Sequence, residues 1–267
     1  MIRYLKISLL LLTAGTTSLN ATIYLPQGTT LETARISQKE VAWDIHDVLA
    51  EKDKAAKGWN IFKNLPSILW SKMRRSKAWK EINQLPKDKD LSGEAYVRLF
   101  SKHGETSMAK MAEKTANSYK PRKGMEQLVR AIHSAGVTQR LASNIGPNCL
   151  AKLDKKFQKN KCSIFSYMQP GLVVDYSQYG PYYKSKQPHS QQQLSPDGKP
   201  FNTFFKNFNS LFNKNKKVLT IFVDDKIANV KAAQEEGLVG IHFDFNQPDA
   251  LQKLTTELAS LGVFIKK

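Results

Sequence analysis

The segment at residues 41–49 constrains the fold more than any other part of this sequence. A short apolar run ends abruptly at Asp44, and a turn and a second apolar pair, Val48-Leu49, follow it. An open α/β sheet binds its ligands beyond the carboxyl ends of its strands, where such an aspartate would lie. We therefore predict a buried strand that presents Asp44 to a ligand.

Other apolar runs predict that this strand belongs to a mostly parallel sheet. The predicted strands are residues 41–43, 138–142, 218–223 and 238–243. Helical patterns at residues 124–135 and 227–236 lie between them, and a glycine follows each one. Strands that alternate with helices in this way predict a Rossmann-like α/β core, with helices flanking the sheet.

Residues 51–120 differ in character from the segments on either side. They are rich in lysine, show no strand-like alternation, and carry Trp59, Trp70 and Trp79. We predict an inserted α-helical domain here, between two core segments at residues 22–50 and 121–267. Its tryptophans are expected to form its own small core rather than a platform for stacking nucleic-acid bases.

The first 21 residues have the pattern of a secretory signal peptide. A basic start with Arg3 and Lys6 precedes a short apolar run at residues 7–12, and a small polar region ends at Ala21. We predict cleavage after Ala21 and export to the periplasm or the exterior, with no transmembrane segment in the mature chain. An uncleaved amphipathic anchor is the alternative.

Export permits a disulfide, and the chain has two cysteines, Cys149 and Cys162. Because the distance between them is not readable from sequence, a disulfide and two buried free thiols both stay open.

The formal net charge of +18 favours anionic ligands, although a solvated lysine-rich face explains such an excess as well. We expect a small phosphorylated or otherwise anionic substrate. No recognisable nucleic-acid-binding module is evident, so specific nucleic-acid binding is not expected. The oligomeric state is not indicated.

Four short motifs place reactive side chains at predicted strand ends or helix starts. They are Asp44, Ser143-Asn144, Lys199-Pro200 and Asp224-Asp225. Phosphoryl transfer needs an in-line nucleophile, a hard cation and fixed positive charge around the phosphoryl oxygens. Magnesium is typically held by one or two carboxylates together with substrate phosphate. The motifs supply these groups in one chain.

In this order, the four motifs resemble motifs I to IV of the haloacid-dehalogenase (HAD) superfamily. The inserted segment also follows the first motif, where the family's helical C1 cap is inserted. The resemblance implies an aspartyl-phosphate on Asp44, phosphate contacts from Ser143 and Asn144, and charge compensation by Lys199. It also implies a Mg²⁺ site, whose expected ligands are Asp44, the His46 backbone carbonyl, Asp224 and Asp225. Lys184 competes for the lysine role, but it lacks the proline that follows Lys199.

One departure from the family pattern bears on activity, because His46 stands where the second aspartate of the first motif is usual. An imidazole is a competent general acid or base, with an unperturbed pKa of about 6.5. Asp47, at the position usually taken by glycine, is a less favoured stand-in for the acid.

Two functions therefore stay open. The favoured one is an exported, Mg²⁺-dependent HAD-type hydrolase acting on a phosphomonoester. The alternative is a non-catalytic HAD-like module that binds an anionic ligand or partner through its basic insertion.

Replacing His46 with aspartate tests its part in the chemistry. We expect His46→Asp to change the pH profile of kcat, because the unperturbed pKa values of the two side chains differ, about 6.5 against about 3.9. The measurement is p-nitrophenyl phosphate turnover across pH. An identical profile would remove His46 from proton transfer.

Overall fold

In the computed structural model, the main sheet has six strands and carries helices on both faces. The structure describes residues 23–53, 76–84, 93–143, 145, 147–173, 204–213 and 218–264. Several residues of the sequence analysis lie outside this description: the predicted signal peptide, Trp59, Trp70, Asn144, Lys184 and Lys199.

The strands confirm the predicted α/β class. They are β1 (Ile23–Tyr24), β2 (Lys39–Trp43), β3 (Ala50–Lys52), β4 (Tyr119–Pro121), β5 (Thr138–Ser143), β6 (Gln169–Val173), β7 (Leu219–Asp224) and β8 (Val239–His242). The main sheet has the order β1-β8-β7-β2-β5-β6, and β3 pairs with β4 in a separate ribbon. All neighbours in the main sheet are parallel except β1 and β8.

Helices lie between most of these strands along the chain, and three of the described helices follow one another between β3 and β4. The helices are α1 (Leu31–Ile36), α2 (Lys77–Gln84), α3 (Gly93–Lys102), α4 (Thr106–Ala116), α5 (Met125–Ser134), α6 (Pro147–Lys159), α7 (Phe204–Phe212), α8 (Ile227–Glu235) and α9 (Ala250–Ser260). No helix among the described residues is both long enough and apolar enough to span a bilayer.

Alternating side chains of the central strands divide the core into two layers. Val41 and Trp43 of β2 pack into one cluster with side chains of α5, α6 and α9, whereas Ala42 joins a second cluster with α7 and α8. Phe222 of β7 lies in that second cluster, against the ring of Phe205 at a centroid distance of 4.7 Å. Because successive side chains of a strand point to opposite faces, helices are needed on both sides of the sheet.

The four predicted strands match β2, β5, β7 and β8 to within two residues at each end. The strands β1, β3, β4 and β6 were not predicted, and β3 and β4 show that the segment at residues 51–120 is not helical at its two ends. Pro170 and Gly171 lie within β6, and both residues are usually signs of a turn. An edge strand tolerates proline, because one row of its backbone groups has no partner strand.

Helices α2, α3 and α4 have a small core of their own. It is formed by Ala78, Phe100, Met108 and Ala109, and Trp79 packs edge-on against Phe100 at 5.6 Å. The prediction that the insertion's tryptophans pack internally is thus confirmed for Trp79.

The ribbon of β3 and β4 brackets these helices, because the chain leaves the core along β3 and returns along β4. The pairing continues beyond the ribbon, because the Asp53 N–H donates to the Ser118 carbonyl at 2.8 Å. The division into domains at residues 51 and 120 stays a prediction.

Both cysteines are buried free thiols. Burial raises the pKa of the Cys162 thiol to about 11, so it stays protonated at neutral pH. The sequence leaves a disulfide and two buried thiols open, and in the structure the two cysteines are buried and form no disulfide.

A partly buried ion pair connects the first halves of the central strands. Glu40 of β2 is 4% exposed and accepts hydrogen bonds from Arg140 Nε at 3.0 Å and Thr220 Oγ1 at 2.8 Å. The guanidinium of Arg140 also lies over the ring of Phe212 at 4.6 Å. These contacts tie β2 to both of its neighbours, β5 and β7.

We expect Arg140→Met to lower the free energy of unfolding by about 3 kcal/mol, because it leaves the carboxylate of Glu40 buried without its cation. The matched control is Arg130→Met, which removes an exposed pair with Glu126 on α5 and should cost about 0.4 kcal/mol. Urea denaturation measures both variants. Equal losses would show that the Glu40 pair contributes no more than a surface contact.

Candidate active site

The carboxyl ends of three adjacent strands bring the predicted site residues together. Trp43, the last residue of β2, pairs with Leu141 of β5 on one side and Val223 of β7 on the other. Asp44 follows β2, while Ser143 and Asp224 end the neighbouring strands. Since parallel strands end at the same edge of a sheet, these three side chains converge.

Asp44 is fixed at both its backbone and its side chain. Its N–H donates to the Val223 carbonyl at 3.0 Å, which extends the pairing of β2 with β7 by one residue. Its Oδ1 accepts a hydrogen bond from Ser143 Oγ at 2.9 Å. Asp44 is 5% exposed and Ser143 is fully buried. The predicted nucleophile and the predicted phosphate-binding hydroxyl are therefore in direct contact.

Three carboxylates meet at this edge of the sheet. Ligand oxygens of Asp44, Asp224 and Asp225 all lie within 4.8 Å of one another, and the first two residues are buried. Like charges held this close repel each other, and a bound cation relieves that repulsion. An all-oxygen carboxylate set is the donor chemistry that Mg²⁺ prefers. These residues therefore fit the predicted magnesium ion, and the added contribution of the His46 carbonyl stays a prediction.

Asp224 is oriented by donors from the start of α8. Asn229 Nδ2 donates to both carboxylate oxygens at 3.0 Å, and the backbone N–H of Lys226 donates to Oδ1 at 2.8 Å. Asp225 is anchored through its carbonyl, which lies 3.0 Å from Nε2 of His242. Such outer contacts fix the direction of a metal-binding carboxylate before the ion arrives.

The ring of His46 stacks against the ring of Tyr119, with centroids 4.4 Å apart and planes inclined by 27°. Tyr119 belongs to β4, the strand by which the chain returns from the inserted helices. Burial raises the pKa of its phenol, and the carboxylates of Asp47, Asp225 and Asp44 raise it further. The phenol of Tyr119 therefore stays neutral at neutral pH, and its ring packs against His46.

Asp47 has a left-handed backbone, with φ of 60°. Glycine adopts this conformation without strain, and aspartate is one of the few other residues that tolerate it. The Asp47 carboxylate pairs with Lys52 Nζ at 2.7 Å. The idea that Asp47 replaces the missing acid stays a prediction.

Lys226 directly follows the acidic pair, and its backbone N–H donates to Asp224. Desolvation lowers the pKa of its ammonium, and the Asp44 carboxylate acts in the opposite direction. Lys199, the lysine predicted for charge compensation, lies outside the described residues, as does Asn144.

The structure thus places five predicted residues at one edge of the sheet: Asp44, His46, Ser143, Asp224 and Asp225. Sequence reasoning missed Tyr119 and Lys226 as members of this site. Lys226 had a readable signal, since it directly follows the acidic pair. Tyr119 had no such signal, because it lies 73 positions after His46 in the sequence.

Comparison with known proteins gives remote structural similarity. No family model and no curated protein matches the chain. The chain is similar to a HAD family enzyme from Bacteroides thetaiotaomicron, with 18% identity over 81% of this chain and 98% of that chain and a TM-score of 0.49. It is also similar to the L-2-haloacid dehalogenase from Xanthobacter autotrophicus with chloropropionic acid covalently bound, at 16% identity, 83% and 87% coverage and a TM-score of 0.48.

A third similar structure is the Bacteroides enzyme in complex with magnesium and inorganic phosphate. It is 16% identical, covers 79% of this chain and 96% of that chain, and has a TM-score of 0.46.

We expect Asn229→Ala to weaken Mg²⁺ binding by about tenfold, because the Asp224 carboxylate loses two of its orienting hydrogen bonds. The matched control is Asn246→Ala, which removes an exposed amide that donates to Asp244. Isothermal titration with MgCl₂ measures both. Equal affinities in the two variants would show that Asn229 does not prepare the site for the ion.

Proposed function

We propose that this chain is a Mg²⁺-dependent HAD-type hydrolase that acts on phosphomonoesters through an aspartyl-phosphate on Asp44. The observation that supports the proposal most is the contact of Ser143 with Asp44 at 2.9 Å, next to carboxylates of Asp224 and Asp225 within 4.8 Å. A nucleophile, a hydroxyl donor and a cation site therefore converge at the carboxyl ends of adjacent strands, as phosphoryl transfer requires.

In the proposed first step, a carboxylate oxygen of Asp44 attacks the phosphorus atom. A new O–P bond forms while the bond to the alcohol oxygen breaks, and the alcohol leaves with a proton from the acid. Water then attacks the phosphorus atom and gives a proton to the same group, which now acts as a base. The bond between the Asp44 oxygen and phosphorus breaks, phosphate leaves, and the carboxylate is restored. Dividing the reaction in this way replaces one difficult displacement with two easier ones.

Each described residue has a distinct part in this scheme. Ser143 Oγ donates to Asp44 in the structure and is placed to donate to a phosphoryl oxygen once substrate binds. The ammonium of Lys226 adds positive charge beside the nucleophile. His46 is the proposed acid and base, and Tyr119 limits where its ring can lie. Mg²⁺, when bound to the aspartates, would offset the negative charge of the phosphoryl group.

Substrate and location belong to the same proposal. The net charge of +18 supports a small phosphorylated or otherwise anionic substrate. The signal-peptide pattern of residues 1–21 supports action outside the cytoplasm.

The decisive measurement is turnover of p-nitrophenyl phosphate with and without MgCl₂. We expect metal-dependent turnover, and we expect Asp44→Asn to lower kcat by at least about a thousandfold, as loss of a covalent nucleophile does. Asp249→Asn is the matched control, because this exposed aspartate precedes α9 and should leave kcat unchanged.

Circular dichroism of both variants establishes that they fold. A wild-type chain without metal-dependent turnover, or an Asp44→Asn variant with full activity, would contradict the proposal. The first outcome would favour the alternative of a non-catalytic module that binds an anionic ligand or partner.

A further inference from the structure

A single arginine holds the backbone of the turn that follows the proposed nucleophile. Arg122 comes directly after β4, and its backbone N–H donates to the Leu49 carbonyl at 3.0 Å. Its side chain reaches the two preceding carbonyls, with Nε 3.0 Å from the Val48 oxygen and Nη2 2.9 Å from the Asp47 oxygen. Three consecutive carbonyls of the turn are thus satisfied by one residue.

This turn needs such support for two reasons. Asp47, Val48 and Leu49 are buried, so carbonyls without a donor would be costly. Asp47 is also in the left-handed region, which is less favourable for aspartate than for glycine, so contacts with neighbouring groups help to hold it there. The turn directly follows His46, so its backbone determines where the imidazole lies.

The guanidinium of Arg122 is itself fixed on several sides. It lies over the rings of Phe243 and Phe245, at 5.4 Å and 5.2 Å from their centroids. Glu51 of β3 contributes a carboxylate oxygen 3.6 Å from Nη1. A planar group with donors along one edge can serve two neighbouring carbonyls at once, which the single ammonium of lysine cannot do in the same geometry.

These contacts also connect the turn to the metal-binding strand. The backbone N–H of Phe243, whose ring lies under the guanidinium, donates to the Asp224 carbonyl at 2.9 Å. Three residues before Arg122, Tyr119 stacks against the ring of His46. The strand that returns from the inserted helices therefore contacts the turn at both its backbone and its side chain.

We propose that Arg122 is a positioning residue for the reaction at Asp44. It does not touch the reacting atoms. It holds residues 47–49, the turn that follows His46, so that His46 keeps its position relative to Asp44. The kinetic part of this inference rests on the proposed function, and its structural part can be measured without any activity.

The kinetic test is Arg122→Lys, which keeps the positive charge and loses the paired donors. We expect kcat for p-nitrophenyl phosphate to fall by about a hundredfold, as for a displacement of about 1 Å at a reacting centre. KM should change little, because the donors of the Arg122 side chain bind backbone carbonyls of the turn. Arg130→Lys is the matched control, since that arginine is exposed on α5 and should retain the wild-type kcat.

The second measurement is the NMR signal of the His46 Cε1–H, which His46→Gln assigns among the five histidines of the chain. The ring of Tyr119 shifts this signal, and Tyr119→Leu gives its position without the stacked ring. In Arg122→Lys we expect the signal to move from the wild-type position towards that of Tyr119→Leu. In Arg130→Lys it should not move.

The two readouts separate the possible failures. A wild-type chain without phosphatase activity would contradict the proposed function, and the NMR signal would still show whether Arg122 positions His46. A folded Arg122→Lys variant with an unmoved His46 signal would overturn the proposal, and so would one with the wild-type kcat in an active enzyme. If Arg122→Lys does not fold, Arg122→Gln, whose amide supplies fewer donors, is measured in the same way.

Discussion

The parallel register of β2 between β5 and β7 is the constraint on which the candidate site depends. It aligns Trp43 with Leu141 and Val223, so the three strands end at one level. The hydrogen bond from the Asp44 N–H to the Val223 carbonyl continues the same ladder into the site. A slip of one residue would turn the apolar side chains of β2 to the wrong faces and would also turn Asp44 away from its partners. The core packing therefore fixes the position of the proposed nucleophile.

Around that position, the ends of the strands bring several negative charges together. Three carboxylates lie within 4.8 Å of one another, although their mutual repulsion opposes this arrangement. Hydrogen bonds from Ser143 to Asp44 and from Asn229 to Asp224 keep two of them oriented. Carboxylates that are oriented in this way would need little rearrangement to hold a cation, because rigid elements of the sheet carry them.

The inserted helices are joined to this site through the strand by which the chain returns from them. Tyr119 contacts the ring of His46, and Arg122 holds the carbonyls of the turn that follows it. A second connection lies nearby, because Lys152 of α6 pairs with Glu113 of α4, and Lys156 donates to the Asn117 carbonyl. The placement of the insertion on the core and the geometry of the turn are therefore physically connected.

Elements with a local sequence pattern were predictable. Four strands were predicted to within two residues at each end, since alternating or continuous apolar runs decide them, and Asp44, Ser143 and the Asp224-Asp225 pair followed as strand ends. The roles of Tyr119 and Arg122 were not predictable, because they depend on contacts between residues more than 70 positions apart, such as Arg122 with Val48. The side chains around His46 come from distant segments of the chain. Tertiary packing brings them together, and local periodicity carries no information about it.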